Sequence, residues 1–344
     1  MTKHPKKILI IRTDRLGDVI LSTPVITNLR QAYPQAHIAF MCRPYTLDAI
    51  EGNPHLNEVI VYDKYGRHKS MLATFKFALR LRKNKFDWAI ILHPTNRAHL
   101  IAFFAGIPLR IGWNKKMGWL LTKKMPHKKQ EGKKHEVEYT LDILKPLKVP
   151  IVDKTTYFPI KEDAEKKIED MLNTSGLIPD EKFIVIHPSA SCLSKKWPQA
   201  YFSELIKIIN DKIDLKIIIV TAKEDIQFGN QLVQEHNTID FRGKLTLPQM
   251  GSLLKRAVLF ISNDSGPVHI ASSLNTPVIS IFGRKNPGLS PTRWKPRGKK
   301  STYFHQDVGC TVCLAHNCKQ SFLCLKKVYP EEVAKKALQY IKKS

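Results

Sequence analysis

The feature that most constrains this chain is a repeated alternation of short, wholly apolar runs with longer stretches of helical spacing, interrupted once near its middle. Residues 8–12 (ILIIR), 37–42, 58–62 and 88–92 read as buried strands. Between them, residues 22–33, with Pro24 in the first turn, and residues 70–82, with Met71, Leu72, Phe75, Phe77, Ala78 and Leu81 at helical spacing, read as helices. The rhythm breaks at 145–160, where three prolines and little helical period mark an interdomain linker. It then restarts, with strands expected at 183–187, 216–221, 258–262 and 277–282. Helices are expected at 201–209, 227–236, 247–256, 268–274 and 330–343. Strand and helix in alternation make parallel βαβ units. The expected fold is therefore α/β, with two doubly wound Rossmann-like domains facing a central cleft, at 1–150 and 151–328. A terminal helix at 329–344 is expected to pack back on the first domain.

A length of 344 residues and a hydrophobic share of 43% are enough for two cores, which excludes wholesale disorder. The charge is lopsided: 56 Lys and Arg against 30 Asp and Glu, a formal net charge of +26. Such a field attracts polyanions, whether nucleic acid, anionic lipid headgroups or phosphorylated glycans. The basic start of the chain runs into an apolar stretch too short for a signal peptide, and no run of about 18 apolar residues is present. A cytoplasmic location is expected, where six cysteines are thiols or metal ligands rather than disulfides.

In doubly wound sheets, ligands bind beyond the carboxyl ends of the strands, so the polar residues there carry the chemistry. After the first strand comes Arg12-Thr-Asp-Arg-Leu-Gly-Asp18. Asp18 at a helix start suits a general base for an acceptor hydroxyl, or simply a helix cap. Asn263-Asp264-Ser265-Gly266-Pro267-Val268-His269 lies between a strand and a helix. Ser265, Gly266 and the amides after them suit a phosphate, with His269 in the same turn and Asp264 orienting the loop. His187-Pro-Ser189 is followed by Lys195-Lys-Trp-Pro. Ser189 and Lys195 can hold a diphosphate, although lysine is common throughout this chain. Glu224 and Asp225 follow another strand, where a carboxylate receives ribose hydroxyls or opens the next helix.

Taken together, RTDRLGDVILSTP (12–24), HPSASCLSKKWP (187–198) and SNDSGPVHIASSLNTPVISIFG (262–283) resemble the ADP-heptose:lipopolysaccharide heptosyltransferases, glycosyltransferase family 9, over nearly the whole chain. The resemblance implies a GT-B enzyme. It would move heptose from ADP-heptose to the inner core of lipopolysaccharide with inversion, and no metal or other cofactor would be required for catalysis. It implies Asp18 as the base, Lys195 on the donor phosphates, Asp264, Ser265, Gly266 and His269 as the donor loop, and Glu224 as the ribose carboxylate. Two departures stand out. Thr221 occupies a place where many relatives have glycine, and Arg284-Lys285-Asn286-Pro287 replaces the commoner Pro-Thr-Asp-Pro.

Nine basic residues and one acid fall between Arg110 and Lys134, Lys115 and Lys116 among them, and Lys64, Arg67 and Lys69 form a second cluster. Both lie in the expected acceptor domain. They suit a phosphorylated, Kdo-bearing acceptor at an anionic leaflet, at about 1 kcal/mol per basic residue, or else a solvated face. The enzyme would then be peripheral on the cytoplasmic side of the inner membrane. Trp113 and Trp119, interleaved with these lysines, read as headgroup anchors or as core. Cys310, Cys313, Cys318 and Cys324, with His305 and His316 nearby, read as a structural zinc site or as thiols in a stabilised loop. The rival readings are a family 9 enzyme with another donor or core acceptor, an epimerase or hydrolase on the same architecture, and a basic nucleic-acid-binding protein. The last lacks any recognised DNA- or RNA-binding motif.

Overall fold

The computed structural model describes residues 4–342. The chain divides into two compact units, one made of residues 1–130 and 134–159, the other of 131–133 and 160–344.

The first unit holds β1 (Lys7–Ile11), β2 (His37–Cys42), β3 (Glu58–Val61), β4 (Trp88–Ile91), β5 (Leu109–Asn114) and β6 (Lys123–Pro126). Its helices are α1 (Leu16–Ile20), α2 (Thr23–Ala32), α3 (Met71–Arg82), α4 (Asn96–Phe104) and α5 (Glu136–Asp142). All strand pairs are parallel, in the order β3-β2-β1-β4-β5-β6. From Ile8 on, β1 is buried on both faces, and Leu9 and Ile11 join Ala89, Ile91 and Ile101 in one core cluster. A near-continuous apolar strand is what a sheet covered by helices on both sides requires. The β3–α3 junction is built locally: the Ser70 side chain caps α3 by accepting from Ala73 N at 3.0 Å.

The second unit contains α6 (Glu162–Thr174), β7 (Phe183–His187), α7 (Gln199–Asn210), β8 (Lys216–Ile219), α8 (Asn230–Glu235) and β9 (Ile239–Asp240). These are followed by α9 (Leu247–Arg256), β10 (Leu259–Asn263), α10 (Gly266–Ser273), β11 (Val278–Ile281), α11 (Pro291–Trp294), β12 (Ser301–Phe304), α12 (Leu323–Lys326) and α13 (Pro330–Ile341). The sheet is again wholly parallel, in the order β12-β11-β10-β7-β8-β9. Counted from its own first strand, each sheet has the Rossmann order 3-2-1-4-5-6. The chain reverses direction across the sheet between β1 and β4 in one unit and between β7 and β10 in the other. At those two places the strand ends open a crevice for a ligand.

The terminal helix α13 lies against α7, and Val333, Ala334, Ala337 and Ile341 join the second unit's core with Phe202, Leu205 and Ile206. Its apolar face is satisfied there, next to the elements it follows. The proline-rich segment at 145–160 is held by side chains of α2. Asn28 Oδ1 accepts from Val152 N (2.7 Å) and Asp153 N (3.2 Å), and Thr23 Oγ1 accepts from Tyr157 N (2.9 Å). Backbone that forms no sheet is thus satisfied by α2, and the first unit extends to Pro159.

Candidate active site

In the first unit the switch point is filled by charge. Arg12, the first residue past β1, is buried among three carboxylates. Its Nε donates to Asp14 Oδ1 (2.8 Å), one terminal nitrogen donates to Glu136 Oε1 (3.0 Å), and the same nitrogen pairs with Asp18. Glu136, at the start of α5, is fully buried and also accepts from Lys129 Nζ at 2.6 Å. His93, just past β4, places Nδ1 3.2 Å from Asp14 Oδ2. Burial opposes the Arg12 charge, but Asp14, Asp18 and Glu136 outweigh it and hold the guanidinium protonated.

Asp18 does not cap a helix. It lies inside α1, whose N-cap is Arg15, and no side chain caps that helix. Burial pushes its carboxyl up to about 6, Asp14 adds to this, and Arg12 opposes it. His93 is driven down to about 3 by burial and by Arg12, so its ring is neutral. Three carboxylates therefore face two cations, and the cluster has room for one proton. Glu136 touches both cations and no solvent, whereas Asp14 and Asp18 each touch one and keep 13% and 14% of their side chains exposed. Of these two, Asp18 is the one whose carboxyl burial pushes up toward neutral pH.

The other strand ends of this sheet surround the cluster with cations. Lys64 Nζ donates to Thr13 O at 3.0 Å, and the Tyr45 hydroxyl donates to Asp14 O at 2.9 Å. Arg43 lies over the rings of Tyr45 and Tyr65, at 4.4 and 4.5 Å. The loop carrying Arg67 and Lys69 turns on Asp63, which accepts from Gly66 N and Arg67 N. A Cβ at Gly66 would overlap that carboxylate, which is why glycine stands there. Arg97 of α4 ties the loop down by donating to His68 O at 2.6 Å. Arg67 and Lys69 point to solvent, as do Lys115 and Lys116 past β5. Of the two tryptophans, Trp113 is core and Trp119 is exposed.

The second unit's switch point has the opposite balance. Asp264, past β10, is buried and accepts from Lys195 Nζ at 3.0 Å, and it also pairs with Arg284. Here two cations face one carboxylate. Arg284 sits at φ 50° and is 5% exposed, a backbone conformation that non-glycine residues seldom adopt. Asn263 ties the loops together: Oδ1 accepts from Trp197 N (3.0 Å) and Nδ2 donates to Pro188 O (2.7 Å). His187 bridges the switch point, with Nδ1 3.1 Å from Ser262 Oγ and Nε2 3.1 Å from Ser189 Oγ. Burial lowers its pKa to about 4, so it stays neutral and organises hydroxyls rather than carrying charge. Ser265 is the N-cap of α10, makes no side-chain cap bond and meets Ser262 Oγ at 3.0 Å. With Gly266 it forms a half-exposed helix start beside the cation pair, where an anion is favoured. His269 is buried inside α10, and Glu224 lies exposed past β8.

Arg12, Asp14, His93, Lys129, Glu136 and Arg284 were not assigned roles from sequence. The available signal was Arg12 itself, a charge set directly behind a wholly apolar strand. Among the described residues no group of three or more His, Cys, Asp or Glu side chains is placed to hold a metal ion. Cys310, Cys313, Cys318 and Cys324 line one cavity of about 310 Å³. Cys313 Sγ accepts from Lys285 N, and the Cys324 thiol is raised by burial and by the nearby Cys318 and Cys313.

Two Rossmann-type domains, each with a cluster of charged side chains at its switch point, make a fold of the GT-B class. The family model for glycosyltransferase family 9 (heptosyltransferase) matches residues 74–323, more than half of the chain. A lipopolysaccharide heptosyltransferase 3 of Escherichia coli is 28% identical, over 78% of this chain and 80% of that protein. Among solved structures, a family 9 glycosyl transferase from Veillonella parvula superposes with a TM-score of 0.88 (23% identity, 98% of each chain). The E. coli ADP-heptose lps heptosyltransferase II superposes at 0.79 (23% identity, 98% of this chain and 99% of that one). The chain belongs to glycosyltransferase family 9, the heptosyltransferases.

Proposed function

We propose that this enzyme transfers heptose from ADP-heptose to the inner core of lipopolysaccharide, inverting the anomeric centre in a single displacement. Asp18 takes the proton of the acceptor hydroxyl while that oxygen attacks the anomeric carbon. The bond from carbon to phosphate oxygen breaks, and its electron pair leaves with ADP. Lys195, Arg284 and the start of α10 meet the charge that grows on the diphosphate, so the chain supplies cations of its own to the leaving group. Asp264 positions both cations, His187 and Ser189 shape the loop, and Glu224 receives ribose hydroxyls. Lys64, Arg67, Lys69, Lys115 and Lys116 attract the phosphates and carboxylates of the acceptor. The reaction is placed on the cytoplasmic face of the inner membrane.

The observation that carries this reading is the place of Asp18 beside Arg12 in the buried charge cluster past β1, where burial first and Asp14 second push its carboxyl up to about 6. Arg284, buried beside Asp264, favours testing a second donor as well. Purified enzyme is given ADP-heptose or a UDP-sugar with a deacylated Kdo-terminated acceptor, and products are followed by mass spectrometry and by NMR of the new linkage. An inverted heptosyl product from ADP-heptose alone supports the reading. Turnover only with a UDP-sugar, release of free sugar without acceptor, or retention at the anomeric carbon would overturn it.

A further inference from the structure

Six apolar side chains of α3 and α4 face solvent together: Met71, Leu72, Phe75, Leu79, Phe103 and Phe104. Such a patch needs an explanation in a folded protein. On α3, Met71, Phe75 and Leu79 recur every four residues with Leu72 beside them, while Thr74, Ala78 and Leu81 bury the opposite face. The helix thus has two apolar faces, and only one is used by the core. The outer face continues across α4 through rings in contact. Phe75 meets Phe104 edge-on at 4.9 Å, and Phe104 meets Phe103 at 5.4 Å. Arg110 lies over Phe103 at 5.5 Å and donates to Leu120 O at 2.8 Å, next to Trp119, which is 67% exposed.

The rim of the patch is of one sign. From residue 64 to residue 86 there are eight Lys and Arg and no carboxylate. Lys76, Arg80 and Lys83 are exposed in the helical rows beside Leu72 and Leu79. Apolar and aromatic anchors flanked by cations, on helices too short to cross a bilayer, describe an element that lies in the headgroup plane. A protein partner with an apolar face would not call for a rim of uniform charge, whereas an anionic leaflet calls for both features.

We infer that the outer face of α3 and α4, with Trp119, docks the enzyme onto an anionic lipid bilayer. The surface adds to the proposed transfer the plane from which a lipid-linked acceptor is reached. Through Lys64 and Thr13 it belongs to the same domain as the Asp18 cluster. Its test does not depend on which sugar is moved.

The full chain is mixed with vesicles of phosphatidylcholine, alone or with about 30% phosphatidylglycerol, and bound protein is separated by flotation. Wild type is expected to float with the anionic vesicles and to be released by high salt. Leu72→Gln with Phe75→Gln should lower partitioning by about tenfold or more, while turnover of a deacylated acceptor stays unchanged. Ile178→Gln, which removes a still more exposed apolar residue from the other unit, should change neither. Leu72→Trp gives a readout without loss of an anchor: its emission should shift to the blue on anionic vesicles and not on neutral ones. Equal flotation of wild type and the double variant would overturn the inference, as would equal binding to both vesicle types. So would a wild-type dimer that the double variant dissolves without any change in lipid binding, since a second copy would then cover the patch.

Discussion

The two domains carry the same strand order and place their polar residues at the same topological position, yet the charges there are opposite. Around Arg12, three carboxylates face two cations, and around Asp264 two cations face one carboxylate. One frame therefore gathers an excess of carboxylates and the other an excess of cations. The fold supplies the position, and the local charge count decides the chemistry.

The largest expected effect follows from removing the proton acceptor. Asp18→Asn keeps an oxygen for Arg12 but cannot take a proton, so kcat should fall about 10²–10⁴-fold. Thermal stability should not fall with it, because burial already disfavours the charge that is removed. Wild-type turnover in this variant would take Asp18 out of the mechanism. A collapse of the melting temperature would show that the cluster is a structural ion network instead.

On the other side the order of sensitivities should reverse. Lys195→Ala or Arg284→Ala leaves Asp264 paired with one cation, and should cost roughly 10–10³-fold in turnover with modest loss of stability. Asp264→Ala removes the single anion between two largely buried cations and should destabilise the fold by about 3–5 kcal/mol. Denaturant titration of Asp264→Ala beside Asp18→Asn checks the contrast. Similar stability losses in the two would break it.

Acid sharpens the same comparison. Activity should rise with pH through about 6, as Asp18 loses its proton. For stability the two sites oppose each other. The folded Asp18 carboxyl titrates above its ordinary value of 3.8, so its contribution is full at low pH and fades as the pH rises through about 6. His187 titrates near 4 in the folded state against an ordinary 6.5, so its contribution is full above about 6.5 and is lost as the pH falls toward 4. His187→Asn, which can still bridge hydroxyls, should flatten the acid-side loss of melting temperature by a few degrees, roughly 2–4 °C per kcal/mol. Asp18→Asn should steepen it. Melting curves between pH 4 and 7 decide the matter.

Positions close behind an apolar strand within a short motif were legible in the sequence: Ser189 and Asp264 lie just past β7 and β10, Lys195 in the short turn that follows β7, and Asp18 in the short helix that follows β1. Their partners were not. Glu136 reaches Arg12 only because a crossover more than a hundred residues long returns to β1, and nothing local marks a glutamate at the start of α5 as buried. Arg284 was visible only as a departure from a loop pattern, and its pairing with Asp264 needs β11 to lie beside β10. The strand β6, Lys-Lys-Met-Pro, has no apolar run at all. It pairs on one side only, with β5, where polar residues and a proline are tolerated.

The smallest effect concerns the cations on the proton-accepting side. Lys64 is the one acceptor-side lysine that the structure ties to the β1 loop, through Thr13 O, while Arg67, Lys69, Lys115 and Lys116 extend into solvent. Exposed charges contribute less than about 1 kcal/mol each, so single alanine substitutions at the solvent-facing four should raise the acceptor KM by no more than about threefold, and salt should mask the change. Lys64→Ala should raise it by about fivefold, with kcat and the donor KM unchanged and with less masking by salt, since this ammonium is already half-buried. If the donor KM moves instead, Lys64 serves the anion-holding side, and the division of labour between the two charge clusters does not extend to the lysines around them.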